Sequence, residues 1–220
     1  MTWFIYDEPV RNPFPVVGII GAGTMGNGIA QACAISGLQV VMVDINDAAT
    51  QKGLATITSS LDRLIKKEKM TEAEKSAALA RIKISTNYQD FTITQMVIEA
   101  ATENYELKLK ILKQLDSIVS KDIIIASNTS SISITQMAAE VSHPDRFIGM
   151  HFFNPVPLMA LVEIIRGLQT SDQTHQLVHA MAKALGKEPI TVKNAPGFVV
   201  NRILVPMINE AFFVLSEGLA

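Results

Sequence analysis

The sequence predicts a doubly wound α/β domain: a mostly parallel sheet with helices on both faces, an antiparallel strand near residues 161–165, and then the first helix of an all-α unit. Three observations carry this. Short runs rich in Val and Ile alternate with segments of helical spacing from residue 16 to about residue 150. A glycine-rich turn follows the first run, and beyond Pro196-Gly197 the pattern becomes one apolar helix.

In chain order, Val16 to Ile20 is a buried strand ending at glycines, and Thr24 to Ser36 is a helix stopped by Gly37. Gln39 to Val43 is the second strand. Asn46 to Lys69 is helical, with Leu54, Ile57, Leu61, Leu64 and Ile65 on one side. Thr71 and Glu74 form a capping-box pattern at the start of a helix reaching Ala80. Strands follow at Ile82–Ser85, Met96–Ala100, Ile123–Ala126 and Phe147–Met150, with helices at Tyr105–Val119 and Ile134–Val141. His151 to Met159 is a loop with two prolines. About ten residues separate Met150 from the strand Leu161–Ile165, and a parallel crossover needs a dozen or more, so that strand is antiparallel. Helix 173–185 ends at Gly186, and Pro189–Val192 starts with a proline, which suits an edge.

The expected organisation is an extended arm over 1–15, a nucleotide-binding domain with the catalytic residues over 16–195, and the start of an incomplete helical domain over 196–220. In the last segment Val199, Ile203, Met207 and Phe213 share a stripe. One helix cannot make a core, so the stripe meets a further helical domain, the sheet or a partner chain.

Bulk properties exclude several classes. A chain of 220 residues buries roughly 70% of its unfolded surface and needs no staples. Net charge is −2 with no basic stripe, which argues against nucleic acid. No apolar run reaches the ~18 residues of a membrane span. Cys33 stands alone, which rules out an internal disulfide, suits a reducing compartment and reads as a buried helical hydrophobe. Met1 to Pro15 lacks the apolar segment of a signal peptide, so a cytoplasmic location is expected. No metal site is expected.

Gly21-Ala22-Gly23-Thr24-Met25-Gly26 fits G-x-G-x-x-G between a strand and a helix. Gly21 permits the tight turn, Gly23 admits the pyrophosphate to the backbone, and Gly26 lets the helix pack on the sheet. The helix N-terminus offers free N–H groups to the phosphates. This is the Rossmann-type fingerprint. Asp44 ends the second strand, where a carboxylate bonds the adenosine ribose and repels a 2′-phosphate, so the cofactor is NAD in preference to NADP.

Of four histidines, His175 and His179 lie on a polar helix face and read as solvated, and His143 precedes Pro144 in a turn. His151 follows a parallel strand at the carboxyl edge of the sheet, and Glu163 lies on the neighbouring strand. That placement lets the carboxylate hold one imidazole nitrogen while the other faces substrate as a general base. On spacing alone, a structural hydrogen bond is an equal reading.

Five motifs then occur in order: Ile19 to Gly26, Ser127-Asn128-Thr129-Ser130-Ser131, His151-Phe152-Phe153-Asn154-Pro155-Val156-Pro157, Leu161-Val162-Glu163, and Pro196-Gly197-Phe198-Val199-Val200-Asn201-Arg202. Through them the chain resembles the L-3-hydroxyacyl-CoA dehydrogenases, in their short stand-alone form, over about residues 15 to 220. The resemblance implies an acyl-CoA substrate, with His151 as base and Glu163 its partner. It implies Ser130 and Asn201 at the substrate 3-oxygen, and Glu103, Lys108 and Asn154 on the nicotinamide side of the cofactor site. Ser60 and Lys67 match positions that meet CoA. It also implies a homodimer formed through a C-terminal helical domain, of which this chain carries the first helix. Ser130 also reads as a helix cap, and Arg63, Lys66, Lys67 and Lys69 as a solvated helix face. Three readings stay open: this dehydrogenase, a related hydroxy-acid dehydrogenase, and an NAD-binding module without catalysis.

Overall fold

A computed structural model describes residues 12–219. Of the arm expected over 1–15, residues 1–11 lie outside the described residues. The strands are β1 (Val16–Ile20), β2 (Gln39–Val43), β3 (Ile82–Ser85), β4 (Met96–Glu99), β5 (Ile124–Ser127), β6 (Phe147–Phe152), β7 (Leu161–Arg166) and β8 (Glu188–Lys193). The helices are α1 (Thr24–Ile35), α2 (Asp47–Lys66), α3 (Glu72–Ala80), α4 (Tyr105–Asp116), α5 (Ile134–Ala138), α6 (Asp172–Ala184) and α7 (Val200–Ser216).

The strands form one sheet in the order β3-β2-β1-β4-β5-β6-β7-β8. The order reverses between β1 and β4, where doubly wound sheets bind ligands beyond their carboxyl ends. All neighbours are parallel except β6 and β7. Side chains alternate faces along the central strands. Ile98 joins a core with Ile29, Ile57 and Val178 of α1, α2 and α6, while Val97 joins another with Leu112 and Met137 of α4 and α5.

Local chemistry fixes the ends. Asn46 caps α2 by accepting from the Ala49 amide, and Thr71 and Glu74 form the expected capping box on α3. Gly37 and Gly186 stop α1 and α6 with φ of 91° and 70°. Tyr88–Ile93 is a short 3₁₀ segment that periodicity does not reveal, and it buries Phe91.

Three expectations need correction. β6 does not end at Met150 but runs on to Phe152, so His151 lies within a strand. β5 pairs with β6 only as far as Gly149, and β7 then continues the ladder from Gly149 to Phe152. The cap of α5 is Ser133, whose hydroxyl accepts from the Gln136 amide, not Ser130. His175 is half-buried rather than solvated, with Nε2 2.8 Å from the Thr191 hydroxyl on β8.

α7 does not turn a buried face to the sheet: none of its residues is buried, and Ile203, Met207 and Phe213 are exposed. Among the described residues no helix is long and apolar enough to cross a membrane.

Candidate active site

The antiparallel register places His151 directly opposite Glu163. Nδ1 of His151 is 2.7 Å from Oε2 of Glu163; their side chains are 8% and 0% exposed. An ionised carboxylate only accepts, so Nδ1 donates to it, and in the neutral imidazole this leaves the Nε2 lone pair free. The ring is flanked by Phe153 and Phe198, with centroids 4.5 and 5.8 Å away.

The other oxygen of Glu163 has separate work. Oε1 accepts from the amides of Val199 and Val200, 3.0 Å each, at the start of α7. A carboxylate there satisfies free helix N–H groups and complements the helix dipole. Gly197 and Phe198, with φ of 74° and 50°, turn the chain so that these amides point at Glu163. The same helix carries Asn201, whose amide donates to the Ser130 carbonyl at 3.3 Å.

His151, Ser130, Asn201, Asn154, Glu103, Met25 and Asn128 line one cavity of about 430 Å³. A second cavity of about 450 Å³ lies across Ala100 and Ala101, which border both, and is lined by Gly21, Gly23, Asp44, Ile45 and Tyr88. The two lie side by side at the switch point, with Ala100 and Ala101 as their shared wall.

The glycine turn fits a dinucleotide. Gly21 has φ of 96° and a Cβ there would stand 2.8 Å from the Ala100 carbonyl oxygen. A Cβ on Gly26 would stand 1.8 Å from the Gly21 carbonyl oxygen, so the close packing needs glycine. Gly23 opens on free space, and α1 begins at Thr24 without a side-chain cap, leaving its first amides for an anion. Asp44 Oδ2 accepts from the Ala22 amide at 2.6 Å and Oδ1 from the Ile45 amide at 2.7 Å, which ties β2 to the turn.

Glu103 lines the His151 cavity and reaches the Ser130 loop. Its Oε1 accepts from the Thr129 hydroxyl at 2.5 Å, the Ser130 amide at 2.9 Å and the Ser131 hydroxyl at 3.2 Å. Burial pushes its pKa up, but the Thr129 and Ser130 donors and the Lys108 ammonium outweigh this and hold it below the usual carboxylate range.

The structure does not bring Ser60 and Lys67 to these cavities. Ser60 lies within α2 and Lys67 caps its C-terminus, and no hydrogen bond among the described residues ties either to Ser130 or His151.

Sequence reasoning missed Glu99, Asn128 and Lys187. Glu99 is wholly buried; it accepts from Lys108 Nζ and the Ser127 hydroxyl at 2.6 Å each. Its signal was a lone acid ending an apolar strand. Asn128 accepts from the Phe152 amide at 2.9 Å and so holds the strand bearing His151. Lys187 donates to the carbonyls of Val156 and Met159 at 2.6 and 2.9 Å.

Residues 16–195 match the family model described as 3-hydroxyacyl-CoA dehydrogenase, NAD binding domain. A probable 3-hydroxybutyryl-CoA dehydrogenase of Deinococcus radiodurans is 50% identical over 203 residues, covering 92% of this chain and 73% of the relative. The 3-hydroxybutyryl-CoA dehydrogenase of Bradyrhizobium diazoefficiens is 47% identical, covering 92% of this chain and 69% of the relative. The crystal structure of (S)-3-hydroxybutyryl-CoA dehydrogenase PaaH1 from Ralstonia eutropha aligns with a TM-score of 0.92 at 75% identity, covering 94% of this chain and 73% of that one.

Proposed function

The chain belongs to the 3-hydroxyacyl-CoA dehydrogenase family, and from that premise we propose how its residues carry out the NAD-dependent, reversible oxidation of a 3-hydroxyacyl-CoA to the 3-ketoacyl-CoA. The substrate we assign is short, of the 3-hydroxybutyryl-CoA kind named for its relatives. The observation that carries the reading is the buried His151–Glu163 pair, whose histidine lines the cavity next to the one at the glycine turn.

NAD supplies the acceptor for the hydride that leaves C3. His151 Nε2 takes the proton from the 3-hydroxyl, and Glu163 fixes the tautomer and stabilises the imidazolium that results. In the reverse direction the imidazolium returns that proton to the developing alkoxide. Ser130 and Asn201, joined through the Ser130 carbonyl, hold the 3-oxygen and so orient C3. Asp44 takes the adenosine ribose. Gly21, Gly23, Thr24, Met25 and Gly26 form the pyrophosphate cradle, and Glu103 and Asn154 border the nicotinamide side, with Lys108 buried behind Glu103. Ser60 and Lys67 are assigned to the CoA portion on the family resemblance alone.

We further assign residues 196–220 to a helical unit through which two copies pair, supported by the exposed apolar side of α7. Cellular placement is read as cytoplasmic, in keeping with a single free, buried Cys33.

The test is single-turnover oxidation of NADH with acetoacetyl-CoA. Formation of NAD supports the reading. Equal turnover of free acetoacetate favours a hydroxy-acid dehydrogenase instead, and NADH binding without turnover describes a binding module.

A further inference from the structure

Among the described residues, Glu103 is the only carboxylate lining the cavity that holds His151, Ser130 and Asn154. Behind it lies a charge cluster. The Lys108 ammonium is bound to the wholly buried Glu99 at 2.6 Å and stands 3.5 Å from Glu103. Two carboxylates and one ammonium leave one net negative charge. The Lys108–Glu99 contact is the tighter, so the surplus sits on Glu103, on the cavity side. No other charged side chain among the described residues lines this cavity. The carboxylate of Glu163 is engaged by His151 and by the first amides of α7. Asp44 and Lys110 belong to the other cavity.

We propose that Glu103 sets the redox preference of the cofactor site: its charge holds the oxidised dinucleotide, whose ring is a cation, more tightly than the reduced one, whose ring is neutral. This deepens the function proposed above and rests on the nicotinamide occupying the His151 cavity. The same charge favours the reductive direction. When hydride passes to C3, its bonding pair leaves the ring with it and the ring becomes cationic beside Glu103. The loop hydrogen bonds of Glu103 do not produce this bias, because holding Thr129, Ser130 and Ser131 in place serves both cofactor forms alike.

The test compares dissociation constants of NAD and NADH, by calorimetry and fluorescence, for the unsubstituted chain and for Glu103→Gln. Glutamine keeps an oxygen for the loop donors and removes the charge. With the side chain 39% exposed, solvent screening moderates the effect, and the expected loss is about tenfold for the oxidised form with little change for the reduced form. Added salt narrows the ratio in the unsubstituted chain, an arm that needs no variant to fold. Ser131→Ala, which removes a loop donor and keeps the charge, shifts both constants together. Equal losses for both forms in Glu103→Gln, or a salt-independent ratio, overturn the charge assignment and leave the cofactor site standing. Failure of the unsubstituted chain to bind either form overturns both readings.

Discussion

His151 and Glu163 face one another across the sole antiparallel pair of the described sheet, and it is the register of that pair that sets their contact. His151→Gln keeps volume and polarity but cannot accept and hold a proton. Its kcat is expected to fall by about 10²–10⁴-fold, with the dissociation constant for NAD unchanged by calorimetry. Turnover near that of the unsubstituted chain removes His151 from the proposed role.

Glu163 divides its oxygens between a ring and a helix, so its loss has two separable readouts. Glu163→Ala frees the imidazole tautomer, which ¹⁵N shifts of His151 detect. It also uncaps α7, at a cost of about 0.5–2 kcal/mol, which hydrogen exchange detects at Val199 and Val200. A tautomer change with unaltered exchange at those amides shows that the cap contributes nothing.

Asp44 is tied to the Ala22 amide beside the glycine turn. In the unsubstituted chain NAD is expected to bind well ahead of NADP. Asp44→Ala narrows that gap, with NAD weakened about tenfold or more through loss of a charged hydrogen bond. Equal binding of the two cofactors before any substitution defeats the role assigned to Asp44.

The lowered pKa of Glu103 has a signed consequence for stability. The folded chain binds fewer protons there than the unfolded chain, so stability rises with pH across that window. The contribution is complete above the ordinary glutamate value of about 4.3 and is lost as pH falls through the lower folded value. Thermal melts of the unsubstituted chain are therefore expected to drop more steeply on acidification than those of Glu103→Gln. Parallel pH profiles contradict this.

Lys187 has no carboxylate within ion-pairing distance among the described residues, and burial keeps its pKa below the ordinary lysine value. Its ammonium instead closes the turn after Asn154 through two carbonyls. Lys187→Met leaves both carbonyls unpaired, and urea denaturation is expected to show a loss of about 1–3 kcal/mol. An unchanged midpoint shows that water takes over the lysine's work.

Much of this was legible in the chain because local signals and packing agree. Val16–Ile20 and Gln39–Val43 are bounded by glycine and by Asp44, and the short gap before Leu161 required an antiparallel return. The end of β6 was not legible. Its last residues belong to the sheet only because β7 pairs with them, a contact that apolar patterning does not encode. The split of Glu163 between His151 and α7, and the grip of Glu103 on Thr129, Ser130 and Ser131, depend on the chain being folded. Glu99 and Lys187 were invisible for a related reason: the sequence shows a charge, and only packing shows that it is buried.

The hairpin of β6 and β7 also bears on the order in which the site assembles. His151 and Glu163 are 12 residues apart, whereas the Ser130–Asn201 contact spans 71. Short loops close at a smaller entropic cost than long ones, and local contacts form sooner. The His151–Glu163 pair can thus be in register while Ser130 and Asn201 are still apart, and α7 arrives on a carboxylate already in place.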